Sequence, residues 1–283
     1  MKIISKTRLK MPALGQGTWR MGEDPANEAN EIEALRTGLS YGMAMIDTAE
    51  MYGDGKSEKL IGKAIAGVNR DDVYLVSKVY PYNAGRANIF VSCNNSLQRL
   101  GVDCLDLYLL HWRGRIPLKE TIECMEELVR RQKIKHWGVS NFDLNDMEEI
   151  WRLPGGKNCA VNQVLYHLGS RGVEFNLLPS MRYEGVIAMA YCPLGGTNMA
   201  ARSNITHNKK ILGICEKYDI TVSQLMLAFI LKHQNVAAIP KASRSFHSAA
   251  NAKAYDIEID EDDWDIVNKE FPAPTKKIPL DME

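Results

Sequence analysis

The sequence predicts an α/β protein of the (β/α)8 class, a TIM barrel, and three observations carry that expectation. Eight short apolar runs recur along the 283 residues. The segments between them have helical periodicity, and strand–helix alternation implies a parallel sheet. Several runs end directly in polar, chemistry-bearing residues, which a parallel barrel gathers on the one face where all its strand C-termini open.

The elements follow in order. Ile3-Ile4 and Leu9, set among polar residues, predict a short β-hairpin ahead of the first barrel strand. Runs rich in Val, Ile, Leu and Tyr lie near 43–47, 73–79, 105–110, 136–139, 160–164, 186–191, 236–240 and 255–259. Each reads as a strand, being too short for a buried helix. Helical stripes fall on Ala29, Ile32, Leu35 and Leu39, then on Leu60, Ile61, Ala64 and Ile65, then on Leu118, Ile122, Met125, Leu128 and Val129. Thr221-Val222-Ser223-Gln224 has the form of a capping box before a strongly apolar helix reaching His233. The prolines of the tail, from Phe271-Pro272-Ala273-Pro274 onward, exclude a long helix there. No Gly-x-Gly-x-x-Gly follows the first of these runs, which disfavours an open dinucleotide-binding sheet. The length suits one barrel, so residues 1–283 are expected to form a single domain.

Lys+Arg and Asp+Glu both count 35, so the net charge is zero and nothing draws the chain to nucleic acid or an anionic membrane. Its apolar stretches, Leu225 to Leu231 among the longest, fall far short of the roughly 20 residues of a membrane span. The start, Met1-Lys2-Ile3-Ile4-Ser5-Lys6, is too polar for a signal peptide. Cysteines 93, 104, 124, 159, 192 and 215 show no Cys-x-x-Cys and no metal-ligand spacing. They are expected to be reduced, mostly buried thiols of a cytoplasmic protein that holds no metal.

The candidate site begins at Asp47, Thr48 and Tyr52, in the stretch that follows Met43-Ala44-Met45-Ile46. Val73 to Val76 runs into Ser77-Lys78, and Leu105 to Leu110 runs into His111-Trp112. Alone, each has an ordinary explanation: an Asp caps a helix, a Tyr beside Gly packs a turn, and a Lys or His closes a strand in solvent. Together, Asp47, Tyr52, Lys78 and His111 on successive strand ends would make a proton-donating site.

With those groups placed, the chain resembles the aldo-keto reductase family over its whole length. The motifs are Gly15-Gln16-Gly17-Thr18-Trp19, Asp47 to Gly53, Ser77-Lys78, Leu109 to Trp112, Gly138-Val139-Ser140-Asn141-Phe142, Asn162-Gln163-Val164, Ala190 to Gly195 and Ile239-Pro240-Lys241. Val79-Tyr80-Pro81, Leu165 to Gly172 and Leu280-Asp281-Met282 add a nearer likeness to the bacterial branch that reduces small aldehydes such as methylglyoxal. The resemblance implies that Tyr52 is the general acid, that Lys78 paired with Asp47 lowers its pKa, and that His111 orients the carbonyl. It implies a nicotinamide site of Ser140, Asn141, Gln163 and Tyr191, with Thr18 and Trp19 near the ribose. Leu194 and Gly196 would follow the pyrophosphate, Lys241 with Ser243 would hold the 2′-phosphate of NADPH, and Asn251 would bond adenine. Trp19, Tyr80, His111 and Trp112 would edge a pocket for small carbonyl substrates.

The chain departs from the family at His247, where an Arg is usual six residues after the Lys. Arg244 is a substitute phosphate grip, and NADH is then a weaker second cofactor. Arg113 and Arg115, beside the mouth, read either as a hint of an anionic substrate or as solvated loop charges. The expected protein is a monomeric NADPH-dependent carbonyl reductase. The alternatives are a nucleotide-sensing subunit of the same fold and an unrelated barrel such as a phosphate-sugar isomerase, for which Gly195-Gly196 is the sole phosphate-loop support.

Overall fold

In the computed structural model, residues 3–6, 9–196 and 199–283 are described. β1 (Ile3–Lys6) and β2 (Leu9–Pro12) pair antiparallel ahead of the barrel, as the hairpin expectation has it. The barrel strands are β3 (Gly15–Gly17), β4 (Met45–Asp47), β5 (Tyr74–Val79), β6 (Leu105–Leu110), β7 (Ile134–Ser140), β8 (Cys159–Leu165), β9 (Ile187–Tyr191) and β10 (Val236–Ala238). All pair in parallel with their sequence neighbours. Bridges Leu14–Ala238 and Gly17–Lys241 bring the last strand round to the first, and Gly17 N donates to Pro240 O at 3.0 Å.

One expected strand is wrong. Residues 255–259 lie outside the barrel: Lys253–Asp256 is a 3-10 turn, and Tyr255 Oη accepts from Leu14 N at 2.9 Å and donates to Leu14 O at 3.1 Å. The eighth strand is Gly15–Gly17, which carries no apolar run. Its glycines let neighbours come close. A Cβ on Gly15 would stand 2.8 Å from Met45 Cε, and one on Gly17 2.8 Å from Ile239 O.

The helices are α1 (Glu28–Ser40), α2 (Lys56–Ile65), α3 (Ile89–Leu100), α4 (Leu118–Arg130), α5 (Leu144–Arg152), α6 (Leu177–Glu184), α7 (Met199–Thr206), α8 (Lys209–Lys217), α9 (Val222–Leu231), α10 (Ser245–Ala252) and α11 (Glu261–Glu270). The stripe of α2 is buried as expected, and that of α4 is buried but for Val129, which packs partly against the core. The α1 stripe is turned: Glu31, Ala34, Leu35 and Gly38 are buried, and Ala29 is exposed. Two polar contacts rotate it. Glu31 Oε2 accepts from Gly22 N at 2.8 Å, and bare Gly38 leaves room for the buried Gln16 amide. Thr221 caps α9, and the reciprocal Thr221–Gln224 bonds form. That helix stops at Leu231, short of His233, and is buried from Gln224 to Leu231 between β10, α8 and α10. β6 is buried along its whole length, as a strand covered on both faces must be. The six thiols are unpaired, and among the described residues no helix is long and apolar enough to cross a membrane.

Acid should loosen this core. Burial holds the imidazoles of His111, His167 and His233 below their usual value, His111 at about 2 with the Lys78 cation adding to the effect. The unfolded chain takes up protons near pH 6.5 and the native state refuses them, so stability falls as pH drops below that value. For the two most buried, His111 and His167, the loss is at most about 1.4 kcal/mol per pH unit each. The melting temperature is therefore expected to be lower at about pH 5 than at pH 7.5, by calorimetry. A flat or rising melting temperature over that interval would contradict neutral buried imidazoles.

Candidate active site

The site is built from strand ends. Asp47 closes β4, Lys78 is the fifth residue of β5, and His111 follows β6 directly. Because neighbouring strands run in parallel register, with Asp47 opposite Val76 and Lys78 opposite Leu109, these side chains arrive at the same level of the barrel. Tyr52 comes from the loop between β4 and α2, a tight turn in which Asp54, Gly53 and Gly55 all take positive φ.

Lys78 is wholly buried. Its Nζ donates to Asp47 Oδ2 at 2.7 Å, to Thr48 O at 2.8 Å and to Tyr52 Oη at 3.2 Å, so all its protons have acceptors. Asp47 Oδ1 accepts from Gln163 Nε2 at 2.8 Å. Burial pushes Asp47 up and Lys78 down, each toward neutrality, while their mutual attraction opposes both shifts. Such a pair persists because both carboxylate oxygens and all three ammonium protons have partners.

The expected lowering of the Tyr52 pKa does not hold in the resting site. Burial first, then Asp47 and the Cys192 sulfur, raise the phenol well above its ordinary 10.0. Burial and the Asp47 carboxylate outweigh the Lys78 ammonium 3.2 Å away. Tyr52 is therefore a protonated donor throughout the physiological range. Its ring meets His111 edge to face, centroids 5.8 Å apart. The His111 imidazole is neutral, and its Nδ1 is buried without a partner.

A chain of buried hydroxyls that the motifs did not reveal lies beneath. Thr48 Oγ1 donates to Ser57 Oγ at 3.1 Å, Ser57 Oγ to Thr18 Oγ1 at 2.8 Å, and Thr18 Oγ1 to Asp47 O at 2.9 Å. It ties the backbone that presents Asp47 and Thr48 to the helix after Tyr52. The Thr18 hydroxyl is thus engaged by Ser57 and Asp47 O inside the barrel. Glu58, also buried, accepts from Ser77 Oγ at 2.6 Å and Arg99 Nε at 2.5 Å. No motif marks Ser57 and Glu58; only their place right after the Tyr52 loop does.

Around this cluster stand the other expected residues. Ser140 ends β7, and Asn141, at φ 62°, donates through Nδ2 to His111 O and Ser140 Oγ, both at 3.3 Å. Tyr191 ends β9 half-buried and donates from Oη to Asn141 Oδ1 at 2.9 Å. Gln163 is shared: its Nε2 serves Asp47 and approaches Met189 Sδ at 2.9 Å. Leu194 and Gly196 follow Tyr191 in a turn where Gly195 and Gly196 take φ of 96° and 52°. Lys241, Ser243 and Arg244 lead into α10, and Asn251 lies on its buried face. Trp19 is exposed beneath the Arg20 guanidinium, 4.6 Å from its ring centroid. Tyr80 and Trp112 meet at right angles with centroids 5.6 Å apart, and Trp112 lies 4.9 Å from His111.

Arg113 is paired with Asp146 at 2.5 Å and Glu149 at 2.8 Å, which removes most of the hint of an anionic substrate. Lys241 and Arg244 are exposed and have no carboxylate partner among the described residues. Two unpaired cations, a Cβ-free turn and a half-buried aromatic face on one rim fit an anionic dinucleotide. His247 packs its ring on Phe246, centroids 4.0 Å apart.

Comparison with known proteins finds relatives over nearly the whole chain. Residues 13–270 match the model of the aldo/keto reductase family. Over 274 residues the chain is 47% identical to methylglyoxal reductase YeaE of Escherichia coli K12, covering 97% of this chain and 96% of that protein. It is 31% identical to glyoxal reductase of Bacillus subtilis, covering 92% and 89%. An aldo/keto reductase from Klebsiella pneumoniae, solved in complex with NADP and acetate, superposes with a TM-score of 0.94 at 48% identity, covering 97% and 96%. A thermostable aldo-keto reductase bound to epalrestat gives 0.86 at 38% identity, covering 95% and 100%. This chain, an oxidoreductase built on a (β/α)8 barrel, belongs to the aldo-keto reductase family.

Proposed function

We propose that this protein is an NADPH-dependent reductase of small aldehydes and α-dicarbonyls, with Tyr52 as its general acid. One observation carries the reading: a protonated phenol stands 3.2 Å from a buried ammonium that is itself 2.7 Å from a carboxylate, beside a neutral imidazole. When bound, NADPH supplies the hydride. Lys241, Ser243 and Arg244 would hold its 2′-phosphate, Leu194 and Gly196 its pyrophosphate, and Ser140, Asn141, Gln163 and Tyr191 its nicotinamide, with Trp19 at the mouth and Asn251 at adenine.

The chain's own work is proton transfer and orientation. His111, always neutral, donates a hydrogen bond to the carbonyl oxygen and fixes its direction. Tyr52 releases its proton to that oxygen as negative charge builds there. Lys78 then stabilises the phenolate, and Asp47 keeps Lys78 charged for that moment. A phenol above its ordinary pKa is a reluctant acid, so stabilisation of the phenolate has to come in the transition state, where it raises kcat.

The methylglyoxal and glyoxal reductases among the relatives support small dicarbonyl substrates, and the NADP-bound Klebsiella structure supports the cofactor. Trp19, Tyr80 and Trp112 offer flat apolar walls with few polar anchors, which suit compact reactive carbonyls. The unpaired thiols fit a reducing, cytoplasmic setting, and we assign residues 1–283 to one domain acting as a monomer. The test is a carbonyl panel followed by NADPH absorbance and repeated with NADH. Methylglyoxal, phenylglyoxal or nitrobenzaldehyde should exceed every steroid ketone in kcat/KM. NADPH should bind at least tenfold tighter than NADH, about 1.4 kcal/mol. A steroid at the head of the panel would refute the substrate class. Tight NADPH binding with no turnover would favour the nucleotide-sensing alternative.

A further inference from the structure

Beyond α11 the chain forms neither helix nor strand from Phe271 to Glu283, and it returns across the barrel mouth. It is pinned on the way. Arg171 Nη1 donates to Phe271 O, Lys277 pairs with Asp143 at 2.8 Å, and Ile278 covers Gly172, where an added Cβ would stand 2.9 Å from Ile278 Cγ1. Leu280 packs against the core, and Ser170 Oγ donates to Asp281.

Past Asp281 the contacts change character. Glu283 N donates to Tyr191 Oη at 3.3 Å, and Cys192 Sγ donates to Glu283 Oε2 at 3.0 Å. A Cβ placed on Gly196 would stand 2.2 Å from Glu283 Oε1, so the carboxylate lies directly on the glycine turn. Tyr191 and Gly196 are the residues assigned above to the nicotinamide and pyrophosphate. A side-chain anion therefore sits where an anionic ligand is expected.

We propose that residues 281–283 form a strap over the dinucleotide seat, and that Glu283 has to leave before NADPH enters. The inference rests on the assignment of that seat to NADPH. A carboxylate and a pyrophosphate cannot occupy one glycine turn, because they repel each other and compete for the same donors. The pins at Lys277, Ile278 and Ser170 hold the segment beside the site, so it returns when the cofactor leaves. A binding-competent state that is only partly populated weakens apparent affinity by its own fraction. The strap thus sets cofactor affinity without touching the reacting carbonyl.

The experiment titrates NADPH fluorescence on the wild type, Glu283→Gln, Glu283→Ala and Lys241→Ala. In parallel, alkylation of Cys192 in the cofactor-free proteins is followed by peptide mass spectrometry. Glu283→Ala is expected to tighten NADPH by at least about threefold and to speed Cys192 labelling, with Glu283→Gln between it and wild type. Unchanged or weaker NADPH binding in Glu283→Ala overturns the strap. If Lys241→Ala weakens NADPH in that case, the seat stands and the strap alone is wrong. If neither substitution changes affinity, the assignment of the seat is wrong and the strap falls with it.

Discussion

Tyr52→Phe is expected to lower kcat about 100- to 10,000-fold, the range for loss of a positioned general acid, while NADPH affinity stays within about twofold. The substitution removes one oxygen and keeps the ring that meets His111 edge to face. Lys78 loses one of its three acceptors and keeps Asp47 and Thr48 O, so the buried pair survives. Its melting temperature should therefore stay near that of wild type. Single-turnover reduction of methylglyoxal and an NADPH titration measure the two quantities separately. Turnover within a factor of three of wild type would falsify Tyr52 as the acid.

Lys78→Met should lose as much activity as Tyr52→Phe, and it should also lose stability. The phenolate formed during proton transfer would have no cation beside it, and each pKa unit by which Tyr52 becomes a weaker acid adds about 1.4 kcal/mol to the transfer. Asp47 would be left as a buried carboxylate with Gln163 as its remaining side-chain donor. Breaking a buried pair by removing one partner costs about 3–5 kcal/mol. The double variant Asp47→Asn/Lys78→Met removes both charges and should regain much of that stability while staying inactive. Denaturant unfolding and steady-state assays of both proteins separate the two effects. An active double variant would mean that the ammonium has no part in proton transfer.

Much of this arrangement was legible in the chain. Seven of the apolar runs are barrel strands, and the polar residues closing β4, β5 and β6 meet at one mouth. Such runs are visible because a strand covered on both faces has to be apolar throughout. Gly15–Gly17 escaped because it is a strand by close approach to Met45 and Ile239, a condition set by distant residues. Residues 255–259 have the composition of a strand, but the barrel is already closed by Leu14–Ala238 and has no edge left to pair with them.

The motifs named Asp47, Tyr52, Lys78 and His111 but misjudged the electrostatics of Tyr52. Nearness to a cation is a local expectation, whereas the direction of the shift depends on how deeply the hydroxyl is buried and on Asp47 offsetting that cation. The charge state of His111, the hydroxyl chain through Ser57 and the sharing of Gln163 likewise depend on groups brought together from separate elements. The position of Glu283 over Tyr191 and Gly196 depends on the path of a tail that its prolines show only to be non-helical. By itself the sequence determined the barrel and which polar groups meet at its mouth, because periodicity and motif spacing are properties of neighbours along the chain. Protonation, hydrogen-bond partners and the seating of Glu283 on Tyr191 and Gly196 were decided by tertiary structure alone, because they depend on burial and on distances across the barrel mouth.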